Sequence, residues 1–229
     1  MNKYFITYND LTNLDVDLLI VDRPSKPSPL MEYETIQVPG GKTLYKEKGY
    51  SDIEITISFN FMSREDSWDY HFRKIKKWLL SKGDNKLKFA DDMDFYYKVN
   101  KVNITSPERE LRTLGKFEAT FICDPFVYAD TGEIKLGATL FNEYLMSKPV
   151  YRVVGEGYLT LNVNGNKIKA NVGQELLIDT DKGLCYRKGI INNVALEGRF
   201  EDMFLIEGEN KFSWNKGFDI YILPNLRCL

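Results

Sequence analysis

The chain has 229 residues, a mass of 26.6 kDa and a formal net charge of -2, with 31 Lys and Arg against 33 Asp and Glu. That length holds one large domain or two compact ones, and the charge balance excludes a general nucleic-acid binder that works by neutralising phosphates. At 43% hydrophobic and 28% charged residues the chain is a folding one, and its one histidine, His71, excludes chemistry that needs two imidazoles.

The amino-terminal stretch MNKYFITYND lacks the basic region, apolar run and small-residue cleavage site of a secretory signal. The longest aliphatic run, residues 18–21, is far short of the roughly 20 apolar residues of a membrane-spanning helix. A soluble protein made in the cytoplasm, with no membrane insertion, is expected. Between residues 23 and 41, Pro24, Pro27, Pro29 and Pro39 remove backbone donors and favour an extended, polyproline-like path. This segment reads as an exposed arm without regular structure of its own, a kind of segment that often has an interaction role.

Next, Ile53, Ile55, Ile57, Phe59 and Phe61 alternate with polar residues, the pattern of a half-buried strand. Ser63 and Asp66 resemble a capping box, and Trp68, Phe72, Ile75 and Leu79 recur at helical spacing, which predicts one amphipathic helix over about 65–81. Gly83 is expected to stop it in a left-handed conformation. Strands are predicted at 87–90, 94–99 and 116–122. From about Gly137 helical periodicity disappears, and short strands separated by turn signals predict an antiparallel sandwich. Asn164-Gly165 is a type I′ hairpin signature, because both central residues must accept positive φ. Asp181-Lys182-Gly183 and residues 207–210 mark further turns before the terminal strands NKFSW and FDIYIL. The chain is therefore expected to be mainly β with one helix: an α+β domain at 1–132 and a β-sandwich at 133–229.

No catalytic, cofactor or metal site emerges. Cys123, Cys185 and Cys228 are widely spaced and form no Cys-x-x-Cys pair, so reduced thiols are expected rather than zinc or thiol exchange. Gly155-x-Gly157 lacks the third glycine of a dinucleotide loop, since Thr160 stands there. Asp179 and Asp181 fail as a calcium loop, with Leu184 at the sixth position and Ile190 at the twelfth. Asp91, Asp92 and Asp94 gather three carboxylates, but in a turn between strands Asp commonly bonds its own backbone. The sequon at Asn103 is a chance match without export. His71 reads as a boundary residue of the helix. Arg73, Lys74, Lys76, Lys77, Lys82, Lys86 and Lys88 read as a solvated basic run.

The order of these segments resembles the distal tail protein family of long-tailed bacteriophages. The resemblance rests on IQVPGGKTLY, YSDIEITISF, WDYHFRKIKKWL, LKFADDMDFYYKV and GKFEATFICDPFVY in the first half. In the second half it rests on KPVYRVVGEGYLTLNVNGNKI, LLIDTDKGLCY and GRFEDMFLIEGENKFSW, which are similar to a galectin-like sandwich. It implies a homohexameric ring at the distal end of a virion tail, with a central channel for DNA and no enzymatic activity. The implied partners are copies of itself, the tail tube protein, the tail-associated tip or lysin protein, and receptor-binding or baseplate proteins. The arm would then clasp a neighbouring subunit, with Pro24, Pro27, Pro29, Leu30, Tyr33, Pro39 and Gly40 as contact residues. A carbohydrate-binding module is the competing reading, with Trp214 as its stacking residue. The lectin cluster of the galectins needs a His, however, and none follows residue 71.

Overall fold

In the computed structural model, which describes residues 4–229, the alternating run becomes the strand Ile53–Met62. Ile53, Ile55, Ile57, Phe59 and Phe61 are buried, while the even residues face outward. Met1–Lys3, the start of the amino-terminal stretch read above, lie outside the described residues. The chain divides into two units, Met1–Val127 with Leu229, and Tyr128–Cys228.

The first unit is built on a curled antiparallel sheet. Its strand order is Leu11–Thr12, Ile6–Tyr8, Lys86–Phe89, Asp92–Ile104, Leu114–Ala129, Ile53–Met62 and Leu18–Ile20. The longest register in it runs from Leu114 opposite Met62 to Cys123 opposite Ile53. One α-helix among the described residues, Trp68–Leu80, buries Trp68, Ile75, Trp78 and Leu79 in the core formed with that sheet. The indole N–H of Trp78 donates to the Tyr8 carbonyl at 2.9 Å, which ties the helix to the sheet. Phe61 lies against Trp68 at 4.7 Å between ring centroids and against His71 at 5.4 Å. The curl brings Ile6–Tyr8 towards Leu18–Ile20, and the fully buried Asn13 spans the gap. Its Oδ1 accepts from the Ile6 N–H and its Nδ2 donates to the Leu18 carbonyl, both at 2.8 Å. Two backbone groups that would otherwise be orphaned in the interior are thereby satisfied.

Two helix-end expectations are corrected. No capping box forms at Ser63 and Asp66, because the Ser63 N–H is still engaged with the Thr113 carbonyl at 2.8 Å. The chain instead enters the helix through a 3-10 turn, Glu65–Ser67. Gly83 is not the left-handed stop. The helix ends with an extended Ser81, and the left-handed residue is Asn85, at φ 57°. Gly83 serves a different need, since a Cβ there would overlap the Asn9 side chain.

The second unit is a galectin-like antiparallel sandwich around Tyr151, Val153, Leu161, Leu176, Ile178, Met203, Ile220 and Ile222. Its spine is the hairpin of two 14-residue strands, Val150–Val163 and Asn166–Asp179. The first changes partner along its length: Val150–Gly155 pairs with Phe218–Leu223, and Leu161–Val163 with Phe212–Trp214. Where the partner changes, Gly155 and Gly157 take φ values of 152° and 108°, a backbone that side chains with a Cβ rarely adopt. The pair considered for a nucleotide loop thus lies inside a continuous strand. Asn164 and Gly165 hold φ 51° and 93°, as the type I′ signature requires. Asn164 Nδ2 donates to Asn210 Oδ1 and its Oδ1 accepts from the Lys211 N–H, both at 2.8 Å. The Gly165 N–H donates to Asn162 Oδ1 at 2.9 Å. The Tyr151 hydroxyl, buried, donates to the Met203 carbonyl at 2.8 Å, and burial pushes this phenol upward.

Candidate functional site: a projecting hairpin

The proline-rich arm is more ordered than the sequence suggests and is longer at its far end. Met31–Ile36 pairs antiparallel with Leu44–Tyr50 in a two-stranded sheet of its own. Pro24, Pro27 and Pro29 precede the first strand and Pro39 lies beyond its end, so no proline interrupts the ladder. Residues 31–36 have one glutamate at every second position, Glu32 and Glu34, and Glu34 stands opposite Lys46. The tip holds Pro39-Gly40-Gly41, with Gly40 at φ 73°. The alternating run at 31–36 leading to a Pro-Gly-Gly turn is the hairpin signal that the count of prolines masked.

The hairpin carries apolar side chains into solvent. Leu30 is 74% exposed and Tyr45 69%, and Tyr33, Ile36, Val38 and Leu44 are also exposed. Tyr33 and Tyr45 meet edge to face at 6.3 Å, keeping two phenol rings together at the surface. Such a patch on a hairpin that pairs only with itself is the mark of a surface awaiting a partner. Of the residues named from sequence, Leu30, Tyr33, Pro39 and Gly40 belong to this projecting part. Pro24, Pro27 and Pro29 belong to the stalk that leads to it, where Pro24 and Pro29 are half-buried. Ile36, Val38, Leu44 and Tyr45 were missed.

Contacts at the base fix the stalk. The Arg23 guanidinium lies over the Tyr4 ring at 5.2 Å and the Lys26 ammonium over the Phe89 ring at 4.7 Å. Asp91 Oδ1 accepts from Lys26 Nζ at 3.3 Å and from the Tyr4 hydroxyl at 3.1 Å. Burial pushes the Asp91 carboxyl up, but the bonds from Lys26 and Tyr4 outweigh it and hold the group below its ordinary 3.8. Tyr4 is raised to about 12, by burial first and then by Asp91. Because the folded Asp91 value is depressed, its stabilising contribution is complete above 3.8 and is lost as pH falls through the lower folded value. In a carboxyl-carbon NMR titration Asp91 should titrate below 3.8, and Lys26→Met should move its midpoint upward. An unchanged midpoint in that variant would show that Lys26 does not hold the carboxylate.

The remaining candidates are placed in structural roles. Trp214 is half-buried against the sandwich core, and its indole N–H donates to the Phe218 carbonyl at 3.1 Å. His71 Nε2 lies 3.3 Å from the Val16 carbonyl. In the basic run, Lys76 rests over Phe72 at 5.2 Å and Lys86 over Tyr96 at 4.5 Å, while Arg73, Lys74 and Lys77 face solvent. Asp179 accepts from the Lys182 N–H at 3.0 Å and Asp181 pairs with Lys148 at 3.1 Å, the bonding of a turn. Cys123 and Cys185 are buried, and desolvation raises their thiols to about 12 and about 11, values that suppress the reactive thiolate. Among the described residues no helix is long and apolar enough to cross a membrane.

A family model described as the phage tail protein N-terminal domain matches residues 1–125. Among solved structures the chain is similar to the SPP1 Dit protein, described as a paradigm of the hub adsorption apparatus in phages that infect Gram-positive bacteria. The TM-score is 0.69 at 13% identity, over 96% of this chain and 98% of that one, a likeness of fold. No curated protein matches the sequence.

Proposed function

Because the chain belongs to the phage tail protein family defined by that N-terminal domain, we propose that it is a distal tail protein, the hub between tail tube and tip. In this role six copies form a ring at the distal end of the virion tail, with the first units around a channel that passes DNA. The tail tube protein docks on one side of the ring. The tail-associated tip or lysin protein docks on the other, and receptor-binding or baseplate proteins attach beyond. The protein works by fitting against these neighbours and transforms no molecule.

The observation that carries this reading is the hairpin at residues 31–50. A lone globule gains nothing from holding Tyr33, Ile36, Val38, Leu44 and Tyr45 in water, whereas a subunit that inserts them into a neighbour recovers their burial. The fold likeness over nearly the full length of both chains supports it. The carbohydrate-binding alternative loses support from Trp214, which is half-buried and has its N–H engaged within the chain.

Native mass spectrometry of the purified chain should show a particle near six times 26.6 kDa, and negative-stain images should show rings. Dilution favours the monomer of an assembling protein, so the tube or tip protein is added in a second arm of the measurement. A monomer in both arms, or a monomer retained on glycan resin, would overturn the hub reading.

A further inference from the structure

We propose that the second unit carries a binding groove for a neutral oligosaccharide, on the outer face of its main sheet and at a place that does not include Trp214. Leu176, Ile178 and Cys185 belong to the sandwich core, so the alternate residues of the same two strands stand on the opposite face. There a groove of about 570 Å³ is lined by Gln174, Glu175, Leu177, Asp179, Tyr186 and Lys188, a volume within the range of small-ligand sites. Tyr186 is the antiparallel partner of Leu177, and both are half-buried. Together they give the groove an apolar seat of the kind that the C–H face of a sugar ring occupies.

Three further observations point to a sugar. The first is unspent hydrogen-bonding capacity. Among the described residues the side chains of Gln174, Glu175, Tyr186 and Lys188 make no hydrogen bond within the chain. Beside them Arg187 donates from Nη2 to the Asn171 carbonyl at 2.7 Å, while its Nε is buried without a partner. An amide, a carboxylate, a phenol, an amine and a guanidinium together mix donors with acceptors, as the hydroxyls around a sugar require. The second is charge. Lys182, also in the groove, pairs with Asp179 at 3.0 Å, which leaves Glu175 against Lys188 and Arg187, too small an excess to hold a polyanion by its field. The third is the backbone. Gln174 takes φ 69° inside the strand Asn166–Asp179, and Lys188 takes φ 50° in the Lys188-Gly189 turn between Leu184–Arg187 and Ile190–Ile191. Left-handed backbone is costly for a residue with a Cβ, and both costs fall on residues that line this groove. Gly173, on the same wall, leaves room for the Arg187 guanidinium, since a Cβ there would lie 3.2 Å from its carbon. Such a groove adds glycan recognition to a subunit whose other role is assembly.

An array of neutral oligosaccharides, three to six sugars long and built from glucose, galactose, rhamnose and N-acetylglucosamine, tests this on the full chain, with poly(glycerol phosphate) as the anionic probe. At least one neutral probe should bind and the anionic probe should not. Tyr186→Ala should weaken that binding by about tenfold, the worth of one aromatic contact, and Glu175→Ala should weaken it as well. Tyr186→Phe should keep most of it, and Trp214→Ala should leave it unchanged. Circular dichroism and melting temperatures close to those of the parent chain establish that each variant is folded. The bound probe should also protect residues 173–189 of the parent chain in hydrogen exchange, which locates the site even if Tyr186→Ala fails to fold. Silence of every neutral probe, binding confined to the anionic one, or protection elsewhere would overturn the proposal. Neutral binding that survives both Tyr186→Ala and Glu175→Ala, or that is lost in Trp214→Ala, would overturn it too. The groove and the hub reading fail separately: rings that bind no neutral probe remove the groove and keep the hub, whereas a chain that binds the probe and stays monomeric with tube and tip proteins present keeps the groove and removes the hub.

Discussion

Replacing residues 31–50 by a two-residue Asn-Gly turn between Leu30 and Ser51, whose N–H donates to the Leu30 carbonyl at 2.9 Å, should leave a folded monomer under conditions where the full chain forms rings. If two of the exposed hairpin side chains act as anchors worth about 2 kcal/mol each, association weakens by about a thousandfold. The melting temperature should stay within a few degrees of the parent value, since the deleted strands pair only with each other and are absent from the core cluster of the first unit, the edge-to-face contact of Tyr50 with Phe126 at 5.9 Å being what is lost. The position of the cut matters. A deletion of residues 23–41 would also remove Arg23 and Lys26, which hold the stalk against Tyr4, Phe89 and Asp91, and would leave Leu44–Tyr50 without its partner strand. Light scattering checks the expected result. Rings from the 31–50 deletion would transfer assembly to other contacts, such as strand edges.

Asn13→Leu should be the most damaging single change in the first unit. It keeps the branched shape of the amide, at a larger volume, but leaves the Ile6 N–H and the Leu18 carbonyl buried without partners. At about 1–3 kcal/mol for each orphaned group, the loss is about 2–6 kcal/mol, enough to lower the melting temperature by about 10 °C or more. Asn13→Asp should not rescue it, because a carboxylate can accept from Ile6 but cannot donate to Leu18, and it places a charge in the interior. Calorimetry tests this. Melting of either variant at the parent temperature would show that the sheet closes without the bridge.

The parts of the fold legible in the sequence are those whose period survives over several turns or residues. Ile53 to Phe61 alternates over nine residues, and Trp68, Ile75 and Leu79 mark one face of a helix; both patterns are reproduced in burial. Asn164-Gly165 was legible because the turn demands its unusual backbone. Ile6–Tyr8, Leu11–Thr12 and Leu18–Ile20 were not, since two or three residues are too few to show a period. Asn13 was invisible for another reason: a lone asparagine near a turn reads as local chemistry, and its work depends on two strands that only the curl brings together. At the candidate site the prolines pointed to the correct region and concealed its regular part. They mark the stalk and the tip, while the paired residues 31–36 and 44–50 supply most of the exposed apolar surface.

The Asn164-Gly165 turn bears on how such a component ages. Asparagine followed by glycine is the dipeptide most prone to cyclise to a succinimide, through attack of the glycine nitrogen on the side-chain carbon. Here the attacking nitrogen is bonded to Asn162, and the amide under attack is held on both sides by Asn210 and Lys211. The sequence that makes this two-residue turn in the sandwich is thus shielded from its own chemical decay, a durability suited to a particle that must wait outside a cell and cannot replace its parts.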